Sequence, residues 1–466
     1  PRLASVLAAL LSSLPADVIG RRGANVLEYA VDADRDSYPK RKLWATLGAA
    51  LCVAPDGTFG DEAATIQFLE RSREVLGQQL RTAEDFAVGV EAWIELPLKF
   101  GTPDDVDAQL GDLLARVGGD DRAYESLQSH LGAVVGKVVT LSPDLREPFG
   151  MQNFLPLLDL FEEEMQVDVS KSVMEAFLRE ATRQEKAAAL VEAALAAENL
   201  AAAARGESNP SEVSAQEAAQ PDPLLVASLV AIGKNVHDSL NTLSFEDDVR
   251  RISNSLASFI SRIDYGRDVE KQLTFYVDCR SAFGNLDPVK GALVQGAVRL
   301  VERTRAVVGG RHTRKTAAFT RACLAFAFVT IPSMDDAMTR LRLYRLAAEV
   351  ALTNGALPQF DALVRGALQL LPEVSATDND DLLSMLQSFV SLLVAAPGHP
   401  DNGPFYLLKG LLGVERERDW PLHRPQLYLS VLRAVATMCR TTLPYKSPDP
   451  SVRGNDELYG RAPSYL

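Results

Sequence analysis

A side chain serves as nucleophile, base or metal ligand only where its partners come within reach, so spacing is the first filter. The five histidines, His130, His237, His312, His399 and His423, are dispersed along the chain. None has a second His or Cys at ligand spacing, so capping or surface roles are expected and no metal is. Cys52, Cys279, Cys323 and Cys439 lie too far apart for a CxxC pair or a zinc knuckle. Apolar neighbours such as Leu51, Val53, Ala322 and Leu324 predict small buried thiols in a reducing, intracellular setting. Glu162, Glu163 and Glu164, with Asp168 after them, look like paired carboxylates, but consecutive helix positions point in different directions and predict a solvated acidic face. Gly309-Gly-Arg-His-Thr-Arg-Lys315-Thr316 fails as a phosphate loop, because Arg314 stands where the Walker pattern needs glycine. HExxH, GxSxG and a strand-borne GxGxxG are missing too. No catalytic centre and no cofactor are expected.

What does stand out is a run of cations: Arg303, Arg305, Arg311, His312, Arg314, Lys315 and Arg321. It reads as a positive corner between two helices. One account is a solvated turn, with the first helix's C-terminal cations favoured by its dipole. The other is a docking patch for an acidic partner or an anionic membrane. Lys315 and Arg321 oppose the dipole of the second helix, so a role beyond helix stability is expected for them.

The background makes that corner conspicuous. The 466 residues carry 48 Lys plus Arg against 62 Asp plus Glu, a net charge of −14, with 47% apolar and 24% charged residues. This is the composition of a soluble globular chain. Its acidity argues against a nucleic-acid binder, which needs clustered cations over a wide face. No uncharged apolar run approaches the ~20 residues of a membrane span. The chain opens on Pro1 without a signal-peptide pattern and is expected to be a piece of something longer.

Helical spacing recurs from end to end, and strict alternation is hard to find. Phe319, Cys323, Phe326 and Thr330 form one stripe; Val269, Leu273, Tyr276 and Val277 form another, and Leu341, Tyr344, Ala348 and Leu352 a third. Thr82, Ser244 and Ser333, each with an acid three residues on, read as N-caps, and Thr102-Pro103 as a cap followed by proline. Breakers such as Gly101, Gly309-Gly310 and Asn354-Gly355 leave about eighteen helices, paired roughly every 40 to 50 residues. The expected fold is all-α, a HEAT/armadillo-like solenoid of antiparallel helix pairs. Its first part spans 1–181. Residues 182–222 are an Ala-rich helix running into a Ser, Pro and Gln-rich insertion, 223–443 the second part, and 444–466 an irregular tail.

Several stretches resemble one family. The most specific are Asp264-Tyr-Gly-Arg-Asp-Val-Glu-Lys-Gln-Leu-Thr-Phe-Tyr-Val-Asp-Cys-Arg280, Phe283-Gly-Asn-Leu-Asp-Pro288 and His312-Thr-Arg-Lys-Thr-Ala-Ala-Phe-Thr-Arg-Ala-Cys323. Asn25-Val-Leu-Glu28 with Asp34-Arg-Asp-Ser-Tyr-Pro39, Asn153-Phe-Leu-Pro-Leu-Leu-Asp-Leu-Phe161, Val236-His-Asp-Ser-Leu-Asn241 and Leu371-Pro-Glu-Val374 fit in the same order. They are similar to the vacuolar-protein-sorting thirty-five-like family, the large subunit of retriever and a distant relative of the retromer large subunit. The resemblance implies a helical solenoid without enzymatic activity. It implies a trimer with an arrestin-fold small subunit and a metallophosphoesterase-fold subunit. A coiled-coil and COMMD assembly (Commander) and a sorting nexin cargo adaptor would complete the machinery. The implied location is cytoplasmic and peripheral on endosomes, returning cargo to the cell surface. The resemblance implies that the chain starts inside the family pattern and stops shortly after Leu458-Tyr-Gly460, so parts where the two small subunits would dock are expected to be absent or incomplete in it. A different class remains open on the residues alone: a HEAT-type transport receptor or a phosphatase scaffold.

Overall fold

The computed structural model describes residues 3–34, 36–55, 57–118, 124–204, 221–375, 379–399, 401–416, 420, 422–443 and 452–460. Among them every named element is helical; the only extended pairings are isolated bridges, His399 with Gly403 and Thr442 with Gly454. The chain divides into two compact units at Ser244 and Phe245.

The first unit runs through α1 (Leu3–Ser13), α2 (Ala16–Arg21), α3 (Gly23–Val31), α4 (Lys40–Cys52), α5 (Glu62–Gln79), α6 (Ala83–Trp93), α7 (Glu95–Phe100), α8 (Pro103–Val117) and α9 (Tyr124–Leu141). Then follow α10 (Arg146–Gly150), α11 (Phe154–Leu158), α12 (Glu163–Ala204) and α13 (Pro223–Asp238). One layer is the succession α1, α4, α6, α9, α12; α3, α5, α8 and α11 form the second. Caps set the starts where sequence expects them. Thr82 Oγ1 accepts from the Asp85 N–H (3.2 Å), and Thr102 makes a reciprocal capping box with Asp105. Between the layers Trp44 and Trp93 are fully buried with ring centroids 6.0 Å apart, and Trp93 Nε1 donates to the Trp44 carbonyl at 2.8 Å.

The second unit contains α14 (Glu246–Arg262), α15 (Val269–Ala282), α16 (Asp287–Val307), α17 (Arg314–Thr330), α18 (Ala337–Thr353), α19 (Leu357–Leu370), α20 (Asn379–Ala395), α21 (Tyr406–Arg416), α22 (Arg424–Met438) and α23 (Asn455–Gly460). Short 3₁₀ turns at Ile331–Ser333 and Leu371–Glu373 extend α17 and α19. Here α14, α16, α18, α20 and α22 pack in sequence as one layer and α15, α17, α19 and α21 as the other. Each helix thus touches its hairpin partner and the helices one repeat away. That nearest-neighbour stacking is what defines a solenoid.

Several local expectations change. Ser244 does not cap α14; its hydroxyl instead accepts from the Asn241 N–H (3.0 Å), and Phe245 holds the cap position. Ser333 closes a 3₁₀ turn, and the cap of α18 is Asp336, which accepts from the Thr339 N–H at 2.9 Å. The inward face of α15 is Gln272, Phe275, Tyr276 and Cys279, while Val277 points out, 49% exposed. The buried positions include a glutamine, so an apolar count rotates the stripe. Cys439 is exposed, and the other three cysteines are buried. The Ala-rich stretch after Thr182 is helical to Ala204, continuous with α12; residues 205–220 of the expected insertion, and 444–451 and 461–466 of the expected tail, lie outside the described residues. Within that tail, Asn455–Gly460 form the short helix α23.

Candidate partner-binding surface

The loops that lead from the α14, α16, α18 layer to the α15, α17, α19 layer recur on one edge of the second unit. They carry the first residues of two stretches that make the family resemblance specific, 264–268 and 312–313, which continue into α15 and α17. The α14–α15 turn is closed from inside. Gln272, only 3% exposed, accepts from the Tyr265 N–H (2.8 Å) and donates to the Ile263 carbonyl (2.9 Å). Gly266 supplies the left-handed backbone there (φ 60°), and Asp268 caps α15 by accepting from the Lys271 N–H at 3.0 Å. Asp264, on the same turn, receives Arg303 of α16 at 3.0 Å. The α16–α17 turn uses Gly309 (φ 60°) and Gly310 (φ 79°) to reverse direction, and Thr313 with Thr316 forms a capping box for α17. His312 reaches the next loop, its Nε2 lying 2.9 Å from Asn354 Oδ1. Asn354 Nδ2 donates to the Val350 carbonyl (2.8 Å), which turns its oxygen toward the ring, so Nε2 carries the proton. The ring Nδ1 is buried and has no hydrogen-bond partner among the described residues.

The cationic corner separates into two groups. Arg303 and His312 are committed to fastening loops together. Arg305, Arg311, Arg314, Lys315 and Arg321 make no ion pair among the described residues, and all but the half-buried Arg305 are exposed. They lie over the last turns of α16, the glycine turn and the first turns of α17. The second group was legible as a charge run. The fastening role of His312 was not, because its partner is 42 positions away.

α17 has a further property. With its 3₁₀ turn, Arg314–Ser333 is long and apolar enough, by length and composition alone, to cross a bilayer, and 39% of it is buried. Counting uninterrupted apolar runs missed this because Arg321 breaks the run. One face, through Cys323, Leu324, Phe326, Ala327 and Thr330, packs into the unit. The other is open.

The remaining candidates for chemistry have structural explanations. His130 meets Glu91 (2.6 Å), His237 meets Asp238 (2.8 Å), His423 meets Asp380 (2.7 Å), and His399 Nδ1 accepts from the Asp401 N–H at 3.1 Å. Among the described residues no group of three His, Cys, Asp or Glu could hold a metal ion. A cleft of about 650 Å³ between α3 and α5 has Gly23, Leu27 and Phe68 on its floor and an internally paired Arg71 and Glu74 (3.0 Å) on its rim. No nucleophile–base pair faces it. Glu162, Glu164 and Asp168 line one side of an open groove beside Met165, again without such a pair.

The other stretches of the resemblance have the same character. Asn153 donates its backbone N–H to Asp107 Oδ1 (2.9 Å) and its Nδ2 to the Asp107 carbonyl (3.0 Å), docking α11 on α8. Asp34 accepts from the Ala4 N–H (2.9 Å) and fixes the start of α1. Glu373 pairs with Arg340 at 2.8 Å.

Comparison with known proteins agrees with this pattern. The family model described as the VPS35L C-terminal domain matches residues 2–200 and 211–466. A Dictyostelium discoideum protein named VPS35 endosomal protein sorting factor-like is 34% identical over 98% of this chain, and 43% of that protein is covered. The Mus musculus and Homo sapiens proteins named VPS35 endosomal protein-sorting factor-like are each 32% identical over 99% of this chain and 45% of theirs. The chain therefore spans less than half the length of these relatives. Across nearly all of its own length, it belongs to the VPS35L C-terminal domain family.

Proposed function

We propose that the chain is a non-catalytic scaffold segment of an endosomal protein-sorting machinery of the retriever type. The observation that carries this reading is the family match along nearly the whole chain, to relatives named as endosomal protein sorting factors. The architecture supports it, because stacked helix pairs offer long surfaces for partners and the signature residues serve caps and loop fastenings. In this reading the whole protein works with a metallophosphoesterase-fold subunit, an arrestin-fold subunit, a coiled-coil and COMMD assembly and a sorting nexin adaptor. It acts peripherally on endosomes, returning membrane cargo to the cell surface. The basic corner, Arg305, Arg311, Arg314, Lys315 and Arg321, is a docking patch, held in shape by Arg303 and His312.

The test is affinity purification of the tagged full-length protein with mass spectrometry, alongside surface levels of recycled receptors after depletion. Co-purification of a metallophosphoesterase-fold protein and loss of surface receptors are expected. Guanine-nucleotide-dependent binding, or a stable phosphatase core in their place, would replace this assignment with a transport receptor or phosphatase scaffold.

A further inference from the structure

The open face of α17 has an order along its length. Arg314, Ala318, Arg321, Ala325 and Phe328 follow one another at i, i+4, i+7, i+11 and i+14, with Lys315, Ala322 and Val329 beside them. All eight are exposed, Phe328 by 39% and Val329 by 55%. Cations occupy the first two turns, alanines the middle, and bulky apolar groups the end. At that end α15 adds Val277, and Arg280 Nη2 reaches the Val329 carbonyl at 3.5 Å. The stripe is about 22 Å long at ~1.5 Å per residue, four turns of a helix. Its alanines keep the middle low, which lets a second helix approach closely.

We propose that this face docks an acidic amphipathic helix of a protein partner. The partner's carboxylates lie over Arg311, Arg314, Lys315 and Arg321, and its apolar residues over Ala322, Ala325, Phe328 and Val329. The proposal rests on reading the basic corner as a docking patch and specifies what occupies it. Charge selects the partner's sign, since among the described residues five cations stand without ion pairs in a chain of net charge −14. Two of them, Arg314 and Lys315, sit in the first turn of α17 against its dipole, where an incoming carboxylate relieves them. Length selects a helix over a bilayer. An interfacial face sets its cations and bulky groups side by side at one depth, whereas here the unpaired cations of α17 stand at the opposite end of the stripe from Phe328 and Val329, where Arg280 is turned onto the Val329 carbonyl, and a helix laid lengthwise meets both ends.

The experiment places the photo-crosslinking residue p-benzoylphenylalanine at Ala322 in the full-length protein in cells and maps the adduct by mass spectrometry. The expected adduct lies in an acidic, helix-forming protein segment. Its yield falls about ten-fold with Arg314→Glu and Lys315→Glu together, and is kept with Lys315→Arg. Circular dichroism of each variant confirms the fold. An adduct on lipid, on a basic or extended segment, or one insensitive to charge reversal overturns the proposal, and so does the absence of any adduct. If the adduct persists while the endosomal partners fail to co-purify, the scaffold assignment falls and this docking site stands.

Discussion

Single residues show how burial and hydrogen bonding set reactivity. Burial pushes the Cys52 and Cys323 thiols up to about 12, with Glu95 adding to the effect at Cys52, and burial raises Cys279 as well. Cys439 is exposed. Maleimide labelling at pH 8 should therefore modify Cys439 alone in the native protein and all four cysteines in urea. Rapid native labelling at any of the other three contradicts their burial. Asp34 behaves in the opposite sense. Its Ser37 and Ala4 hydrogen bonds hold the carboxyl at about 2, below its ordinary 3.8. A carboxyl depressed on folding contributes stability above its unfolded value and loses that contribution as pH falls toward about 2. Protection of the first turn of α1, followed by hydrogen exchange, should weaken between about pH 4 and 2 in the natural protein. In Asp34→Asn it should be weak already at neutral pH. Cys439 marks the limit of local reading: Met438 and Thr437 leave its exposure to the end of α22, which only packing decides.

At the scale of elements, the sequence exposed periodicity more clearly than boundaries. Long stripes such as Leu341, Tyr344 and Ala348 are buried as their spacing requires. The boundary between α6 and α7 escapes a count based on Gly and Pro breakers, because α6 passes into α7 through Ile94, still in right-handed backbone. Gln272 was invisible for the same reason it matters. A polar side chain in a buried register has no signature until the Tyr265 N–H and Ile263 carbonyl it serves are known. Gln272→Leu leaves both groups without a partner and should cost about 1–3 kcal/mol in urea unfolding. Gly296→Ala should cost about as much for another reason, since a Cβ there would stand 2.7 Å from the Tyr276 ring and force α15 off α16. Lys315→Glu should do the reverse. An acid in the first turn of α17 favours the dipole, and a gain of about 0.3–1 kcal/mol is expected together with loss of docking. A variant that is more stable and less able to bind would separate the two roles of that turn.

For the whole molecule, nearest-neighbour stacking decides how damage spreads. Trp93→Ala empties the space against Trp44, and the loss of exchange protection should extend through α4, α6 and α9 and fade before α14 to α22. Uniform loss over both units would contradict the division at Ser244. The cationic corner was legible at this scale because it reverses the sign of an acidic chain. Its division into fastening and unpaired residues was not, since that depends on which loops become neighbours. The half-open helix α17 also has a consequence for the life of the protein in the cell. Phe328 and Val329 resemble the exposed apolar ends by which chaperones and degradation enzymes recognise unassembled subunits. A chain made in excess of its partner should turn over faster than the assembled one, so supply of the partner would set its abundance. Exposure of this one stripe would then act as an assembly checkpoint, with Phe328→Ser lengthening the half-life of the orphan in a pulse-chase measurement.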